Sequence, residues 1–238
     1  MSIAENLRRV RERIARAAEA SGRSPNDVTL VGVTKYVGAA EVAELVAAGC
    51  DDVGESRPQE LWSKAGELAS ASGAAPGVRW HLVGHLQRNK VRRTLPLVHL
   101  IHSVDSERLL AAIQGEAEAL AASGDRTLPP VRVLLEVNTS GEAAKHGLAA
   151  GDVEPLLAAA DRFPRVVISG LMTIAALEGG PDVAARNFAS LRELRDQLRP
   201  RAPDWAPLDE LSMGMSGDFE EAIRAGATIV RIGSALWE

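Results

Sequence analysis

Short β-branched runs alternate with alanine- and leucine-rich stretches of helical spacing along nearly the whole chain. This alternation is the pattern of repeated strand–helix units. The first stretch, Met1 to Gly22, carries Ile3, Leu7, Val10 and Ile14 on one stripe among charged residues, which predicts an amphipathic helix. Strands are expected near Val28–Thr34, Asp52–Gly54, Val78–Gly84, Val98–Val104, Val131–Asn138, Val166–Thr173, Leu208–Met213 and Thr228–Gly233. Helices fall between them at Ala39–Ala48, Pro58–Ala69, Leu86–Arg93, Ser106–Ala122, Val153–Phe163, Val183–Leu198 and Gly217–Ala225, with ends good to about two to four residues. Turn-rich breaks at 72–77, 123–130 and 199–204 are too short for interdomain linkers, and no fixed-period repeat is present. The expectation is one domain over residues 1–238, an α/β single (β/α)8 TIM barrel with the first helix as an N-terminal addition. An open doubly wound sheet is the alternative.

Composition narrows the function classes. Of 238 residues, 46% are hydrophobic and 25% charged, the mix of a globular protein able to bury a sizeable core. The net charge of −5 disfavours a general nucleic-acid or anionic-membrane surface, and basic clusters such as Arg88–Arg93 read as solvated helix faces. Cys50 is the sole cysteine, so no internal disulfide is possible. The first helix lacks the apolar core of a signal peptide, and no stretch approaches the length of a membrane span. A cytoplasmic protein is the expectation.

In such a barrel chemistry gathers at the carboxyl ends of the strands. Lys35 closes the apolar run Val28–Thr34; buried there, its amine would lose charge and become a nucleophile toward an aldehyde or ketone, inviting Schiff-base formation. The ordinary alternative is an ammonium snorkelling into solvent. The run Ser212-Met213-Gly214-Met215-Ser216-Gly217-Asp218 after the seventh strand and Gly233-Ser234 after the eighth offer backbone N–H groups and hydroxyls to an anion, with a helix expected to open at Gly217. Arg231 lies between Val230 and Ile232 in the last strand and needs an acceptor, either a carboxylate such as Glu136 or Glu210 or a ligand ring nitrogen. An amine, a phosphate cradle and a fixed donor to a ring nitrogen together describe the anchoring points of pyridoxal 5′-phosphate (PLP). A barrel-interior ion pair at Arg231 is the structural alternative.

Several segments, in order, closely resemble the pyridoxal phosphate homeostasis protein family: Val31-Gly32-Val33-Thr34-Lys35, Gly54-Glu55-Ser56-Arg57-Pro58-Gln59-Glu60, Trp80-His81-Leu82-Val83-Gly84-His85-Leu86-Gln87-Arg88-Asn89-Lys90, Glu136-Val137-Asn138, Gly170-Leu171-Met172, Leu211–Asp218 and Val230-Arg231-Ile232-Gly233-Ser234. The resemblance implies a fold-type-III PLP protein with a barrel like the N-terminal domain of alanine racemase and Lys35 as the internal aldimine lysine. It also implies that Arg231 faces the pyridine nitrogen, that Ser216, Gly217, Gly233 and Ser234 hold the phosphate, and that Met213 and His81 line the site. Ser56 stands where the family usually has asparagine, a weaker ring contact, and Tyr36-Val37 departs from the polar or basic residues usual after the lysine.

The implied function is binding and delivery of PLP in vitamin B6 and amino-acid homeostasis, with apo PLP-dependent enzymes as recipients and no catalytic turnover. No second, β-rich domain accompanies the barrel in these residues, and Tyr36, the sole tyrosine, would point to the face opposite Lys35 if the strand continued past it. A low-activity amino-acid racemase using Lys35 with a histidine such as His81, and a class-I aldolase without a resident chromophore, are the alternatives. Neither a nucleic acid nor a membrane is expected as a partner; a monomer is expected, with a weak dimer as the alternative.

Overall fold

The computed structural model describes residues 2–72, 77–123, 129–142, 146–176 and 178–238. The breaks expected at 72–77 and 123–130 fall mostly outside the described residues. Eight parallel strands, β1 (Thr29–Val33), β2 (Asp52–Glu55), β3 (Arg79–Leu82), β4 (Val98–Val104), β5 (Val131–Glu136), β6 (Val166–Met172), β7 (Glu210–Ser212) and β8 (Ile229–Ile232), follow one another around a closed barrel. The ring shuts where Thr29 pairs with Ile229 and Val31 with Arg231. Closure rules out the open-sheet alternative.

Helices α1 (Ile3–Ala20), α2 (Ala39–Ala47), α3 (Pro58–Ser72), α4 (Val91–Thr94), α5 (Glu107–Ala122), α6 (Ala150–Ala158), α7 (Gly180–Leu198), α8 (Phe219–Arg224) and α9 (Ser234–Trp237) accompany the strands. A capping box starts α1: Glu5 N–H donates to Ser2 Oγ at 3.3 Å, and Ser2 N–H donates to Glu5 Oε2 at 2.9 Å. Its stripe of Leu7, Val10 and Ile14 is buried as the spacing requires, each side chain contributing about 1.5–3 kcal/mol. That face packs on α2, α8 and α9, where Arg13 makes a two-pronged bond to Glu220 at 3.0 Å and stacks over Phe219.

Three expected helices differ, the one expected at Val153–Phe163 running instead over Ala150–Ala158 with a 3₁₀ turn at Ala160–Arg162 after it. Leu86–Arg93 is an irregular start, a tight 3₁₀ turn at Arg88–Lys90 and then the short α4; Pro96, which has no N–H, closes the segment. The helix expected from Gly217 starts at Phe219 instead. Met215 N–H donates to Asp218 Oδ1 at 2.6 Å, folding 215–218 into a turn and leaving Asp218, not Ser216, as the N-cap. Gly214 holds this turn's entry at φ +92°, where a Cβ would come within 2.5 Å of Ala222 Cβ.

Side chains fill the barrel in two layers. Val31, Leu100, Leu134, Met172 and Ile229 form a small inner cluster, and the larger core lies between strands and helices. Alternation along each strand decides which layer a residue joins.

Candidate functional site

Lys35 sits beyond the end of β1 rather than within it. Val37 N–H donates to Thr34 O at 3.1 Å, so Lys35 and Tyr36 are the central pair of a tight turn, and both are exposed. The Lys35 ammonium lies 4.7 Å from the centre of the Tyr36 ring. Two expectations are thereby corrected. Lys35 is not a buried strand lysine, because the strand stops at Val33 and the chain bends outward at once. Nor is Tyr36 on the opposite face, because a turn does not alternate as a strand does.

The buried lysine is Lys64 on α3. Its Nζ donates to Thr34 O at 2.7 Å and to Glu55 Oε2 at 2.5 Å, and Thr34 Oγ1 donates to the same carboxylate at 3.1 Å. Glu55 Oε1 accepts from Ser56 N–H at 2.7 Å. This knot fixes the backbone immediately before Lys35 and orients the Ser56 strand end beside it. Ser56 is half-buried, with Gly84 so close that a Cβ there would meet Ser56 O at 2.3 Å.

On the other side of β1, the ends of β7 and β8 form the turn expected to receive an anion. Ser216 Oγ accepts from Gly233 N–H at 3.1 Å and from Ala235 N–H at 3.5 Å, tying the two strand ends together. Gly217 and Ser234 are exposed beside it. Because β8 pairs with β1 and Trp237 Nε1–H donates to Val33 O at 2.8 Å, this turn and the Lys35 turn are neighbours on one rim.

Arg231 is 4% exposed and hydrogen-bonds to no carboxylate among the described residues. Its Nη1 donates to Ser212 Oγ at 2.7 Å and its Nη2 to Thr173 O at 2.9 Å, leaving donors over in a side chain that has five. Neither Glu136 nor Glu210 is its bonded acceptor: Glu210 pairs with Thr228 and Arg132. Burial lowers the Arg231 pKa to about 10, with the charges of Asp218 and Glu136 opposing the shift.

From Arg231 a single file of polar groups runs through the barrel. Ser212 Oγ is 2.8 Å from His102 Nδ1, His102 Nε2 is 2.8 Å from His81 Nδ1, and His81 Nε2 is 3.0 Å from Asp52 Oδ1 at the start of β2. With Arg231 donating to Ser212, the serine hydroxyl donates to His102, His102 Nε2–H to His81, and His81 Nε2–H to Asp52. In this direction each donor meets an acceptor with both rings neutral. Burial pushes the His102 pKa well below the ordinary value. Burial works to raise the Asp52 pKa, but hydrogen bonds from Arg79 and His81 outweigh it and hold the carboxyl below its usual range.

This file corrects the place of His81. It is buried inside the barrel with both ring nitrogens engaged, below the rim where a ligand would enter. Met213 is likewise not at the mouth: it is fully buried in the strand–helix layer, because Ser212 takes the inward position on β7 and its neighbour must face out. His102, Thr173 and Asp52 were missed, and Ser212 was named only as part of the anion-binding run. A polar residue inside an apolar strand run, as at His102, is the signal that could have found one of them.

The family model described as alanine racemase, N-terminal domain, matches residues 3–238. The pyridoxal phosphate homeostasis protein of Pseudomonas aeruginosa is 42% identical over 238 residues, covering 99% of this chain and 95% of that one. The solved structure of PipY from Synechococcus elongatus with PLP bound is 33% identical, with a TM-score of 0.83 and full coverage of both chains. Alanine racemase from Streptomyces coelicolor shares the fold, with a TM-score of 0.72 at 19% identity, covering 98% of this chain and 58% of that one.

Proposed function

We propose, from the premise that the chain belongs to the pyridoxal phosphate homeostasis protein family, that it binds PLP at the carboxyl rim of its barrel. There it serves vitamin B6 and amino-acid homeostasis as a carrier of that cofactor, without sustained turnover. The observation that carries this reading is Arg231, a buried guanidinium with spare donors and no bonded counter-ion among the described residues, on the strand beside the one that leads into the Lys35 turn. A buried cation of that kind calls for a ligand acceptor. The donor set suits PLP: an accessible amine at Lys35, a turn of backbone N–H groups and hydroxyls at Ser216, Gly217, Gly233 and Ser234, and Arg231 for a ring nitrogen.

When bound, PLP supplies an aldehyde for covalent attachment and an electron-withdrawing ring. Lys35 Nζ would be the attachment point, and the Thr34–Glu55–Lys64 knot fixes the backbone immediately before it. Arg231 is oriented by Ser212 and Thr173, and placed at the ring nitrogen it would keep a proton off it and so weaken the ring as an electron sink. Ser56 would offer the ring a hydroxyl.

Racemisation is the second reading, because Tyr36 lies against Lys35. Two bases on adjacent residues of one turn approach a substrate from the same side, whereas a two-base racemase needs one on each face. His81 offers no substitute with both its nitrogens engaged. Recipients of the cofactor are apo PLP-dependent enzymes, the chain is a monomer, and its compartment is the cytoplasm; among the described residues no helix is long and apolar enough to cross a membrane.

The test combines two measurements on one preparation. Titration with PLP should give a yellow complex at one equivalent, and the loaded protein should exchange no α-hydrogen of D- or L-amino acids in deuterated water beyond the rate of free PLP. Sustained turnover at about 1–10³ per second would replace the carrier by an enzyme.

A further inference from the structure

Three side chains on the rim opposite the Ser216–Gly233 turn have no part in the site above. His85 follows β3, Asp105 follows β4 and His146 lies beyond β5, and one ligand atom from each falls within 4.8 Å of the others. His85 Nδ1 is 3.4 Å from Asp105 Oδ2, and the His85 and His146 rings stack with centroids 5.3 Å apart and planes at 24°. Ser106 Oγ donates to Asp105 Oδ1 at 3.1 Å, which orients the carboxylate with Oδ2 toward the histidines. We infer that His85, Asp105 and His146 form a site for a divalent transition-metal ion of the zinc class.

The donor set decides the class of ion. Two imidazole nitrogens with one carboxylate oxygen suit zinc and its neighbours, whereas calcium and magnesium need more oxygens. Metal–ligand bonds of about 2.0–2.2 Å place ligand atoms roughly 3.3–3.5 Å apart, so the trio must close by about 1–1.5 Å. Rotation of the exposed histidine side chains supplies that. Ser106 is the outer partner that holds the carboxylate in place. His85 and Asp105 line a surface cleft, so a fourth position opens to solvent, the arrangement of a working site rather than a structural staple.

The site is independent of PLP. The loaded protein, freed of excess cofactor, is titrated with Zn²⁺ against a chromophoric chelator, and the titration is repeated on cofactor-free protein. One equivalent should bind in both. His85→Ala, His146→Ala and Asp105→Asn should each weaken it by about tenfold or more, with the cofactor's absorption band unchanged, since none of the three touches Lys35 or Arg231. Co²⁺ should give visible bands of low-coordinate cobalt in the unmodified protein and lose them in the variants. Equal Zn²⁺ affinity in the unmodified protein and the His85→Ala/His146→Ala double variant, or no Zn²⁺ bound at one equivalent, overturns the assignment and leaves a surface histidine stack.

Discussion

His81 Nδ1 and His102 Nε2 face each other at 2.8 Å inside the barrel, their rings tilted at 60° and both side chains sealed from solvent. One proton is shared between those two nitrogens, because a hydrogen bond needs one donor and one acceptor. With Ser212 and Asp52 at its ends, the pair links the amino end of the barrel to Arg231, so the orientation of the guanidinium depends on residues far from the rim.

Acid should destabilise the protein through His102. Its pKa is lowered in the fold from the ordinary 6.5, so the unfolded chain binds a proton that the folded chain refuses. The stability is fully present above about pH 6.5 and declines as the pH falls from there toward the depressed folded value. His99, lowered mainly by burial, adds to the same decline. Replacement His102→Gln should flatten the slope between pH 6.5 and 5 by up to about 1.4 kcal/mol per pH unit, read from urea midpoints at a series of pH values. An unchanged slope would mean that His102 is protonated in the fold and donates from Nδ1 to Ser212 instead of accepting there.

Lys64 should matter to stability more than Lys35 does. Removing one partner of the sealed Lys64–Glu55 pair leaves a buried charge, so Lys64→Met should cost about 3–5 kcal/mol. The double change Lys64→Met with Glu55→Gln should recover a large part of that loss. Lys35→Met, at an exposed turn, should move the denaturation midpoint of the cofactor-free protein by no more than about 0.5 kcal/mol. A double variant as unstable as Lys64→Met alone would show that the loss comes from packing and not from the stranded carboxylate.

All eight strands were legible because strands of a parallel barrel are buried on both faces and therefore read as apolar, β-branched runs. The ends were not. At β1 the apolar run suggested a strand reaching Lys35, whereas the turn closed by Val37 N–H stops it at Val33, a bond that spacing does not announce. At α8 the Gly/Ser-rich stretch drew attention to Ser216, while Asp218, through its bond to Met215, set the helix start. Met213 cannot line the mouth while Ser212 faces Arg231, because neighbours on a strand alternate. His81 and His102 stand far apart in sequence, and only the register of β3 on β4 brings them together.

Lys35 should carry the cofactor. Of the four lysines, Lys64 is locked in its buried pair and Lys90 lies over the Trp62 ring, whereas Lys35 is exposed on the strand end next to Arg231's strand. Borohydride reduction of the loaded protein followed by peptide mass analysis should find the pyridoxyl group on Lys35, and Lys35→Ala should abolish the absorption band while leaving far-ultraviolet circular dichroism unchanged. The label appearing chiefly on Lys64, Lys90 or Lys145 would refute the assignment.

Affinity for PLP should rest chiefly on its phosphate. The N–H groups of Gly233 and Ala235 now donate to Ser216 Oγ, and an arriving phosphate offers them a charged acceptor in place of a neutral one. Charge-assisted hydrogen bonds contribute about 1.5–3 kcal/mol each, so pyridoxal, which forfeits at least two, should bind roughly a hundredfold more weakly or worse. The serines should differ from one another. Ser216→Ala removes one hydroxyl but releases two backbone donors, so its loss of affinity should stay below about tenfold, at a cost near 1 kcal/mol in stability from the lost tie between β7 and β8. Adding Ser234→Ala deletes a hydroxyl and releases nothing, so the double variant should be distinctly weaker than Ser216→Ala alone. Titrating the absorption band with PLP and with pyridoxal decides the matter; equal affinities would place the phosphate elsewhere on the rim.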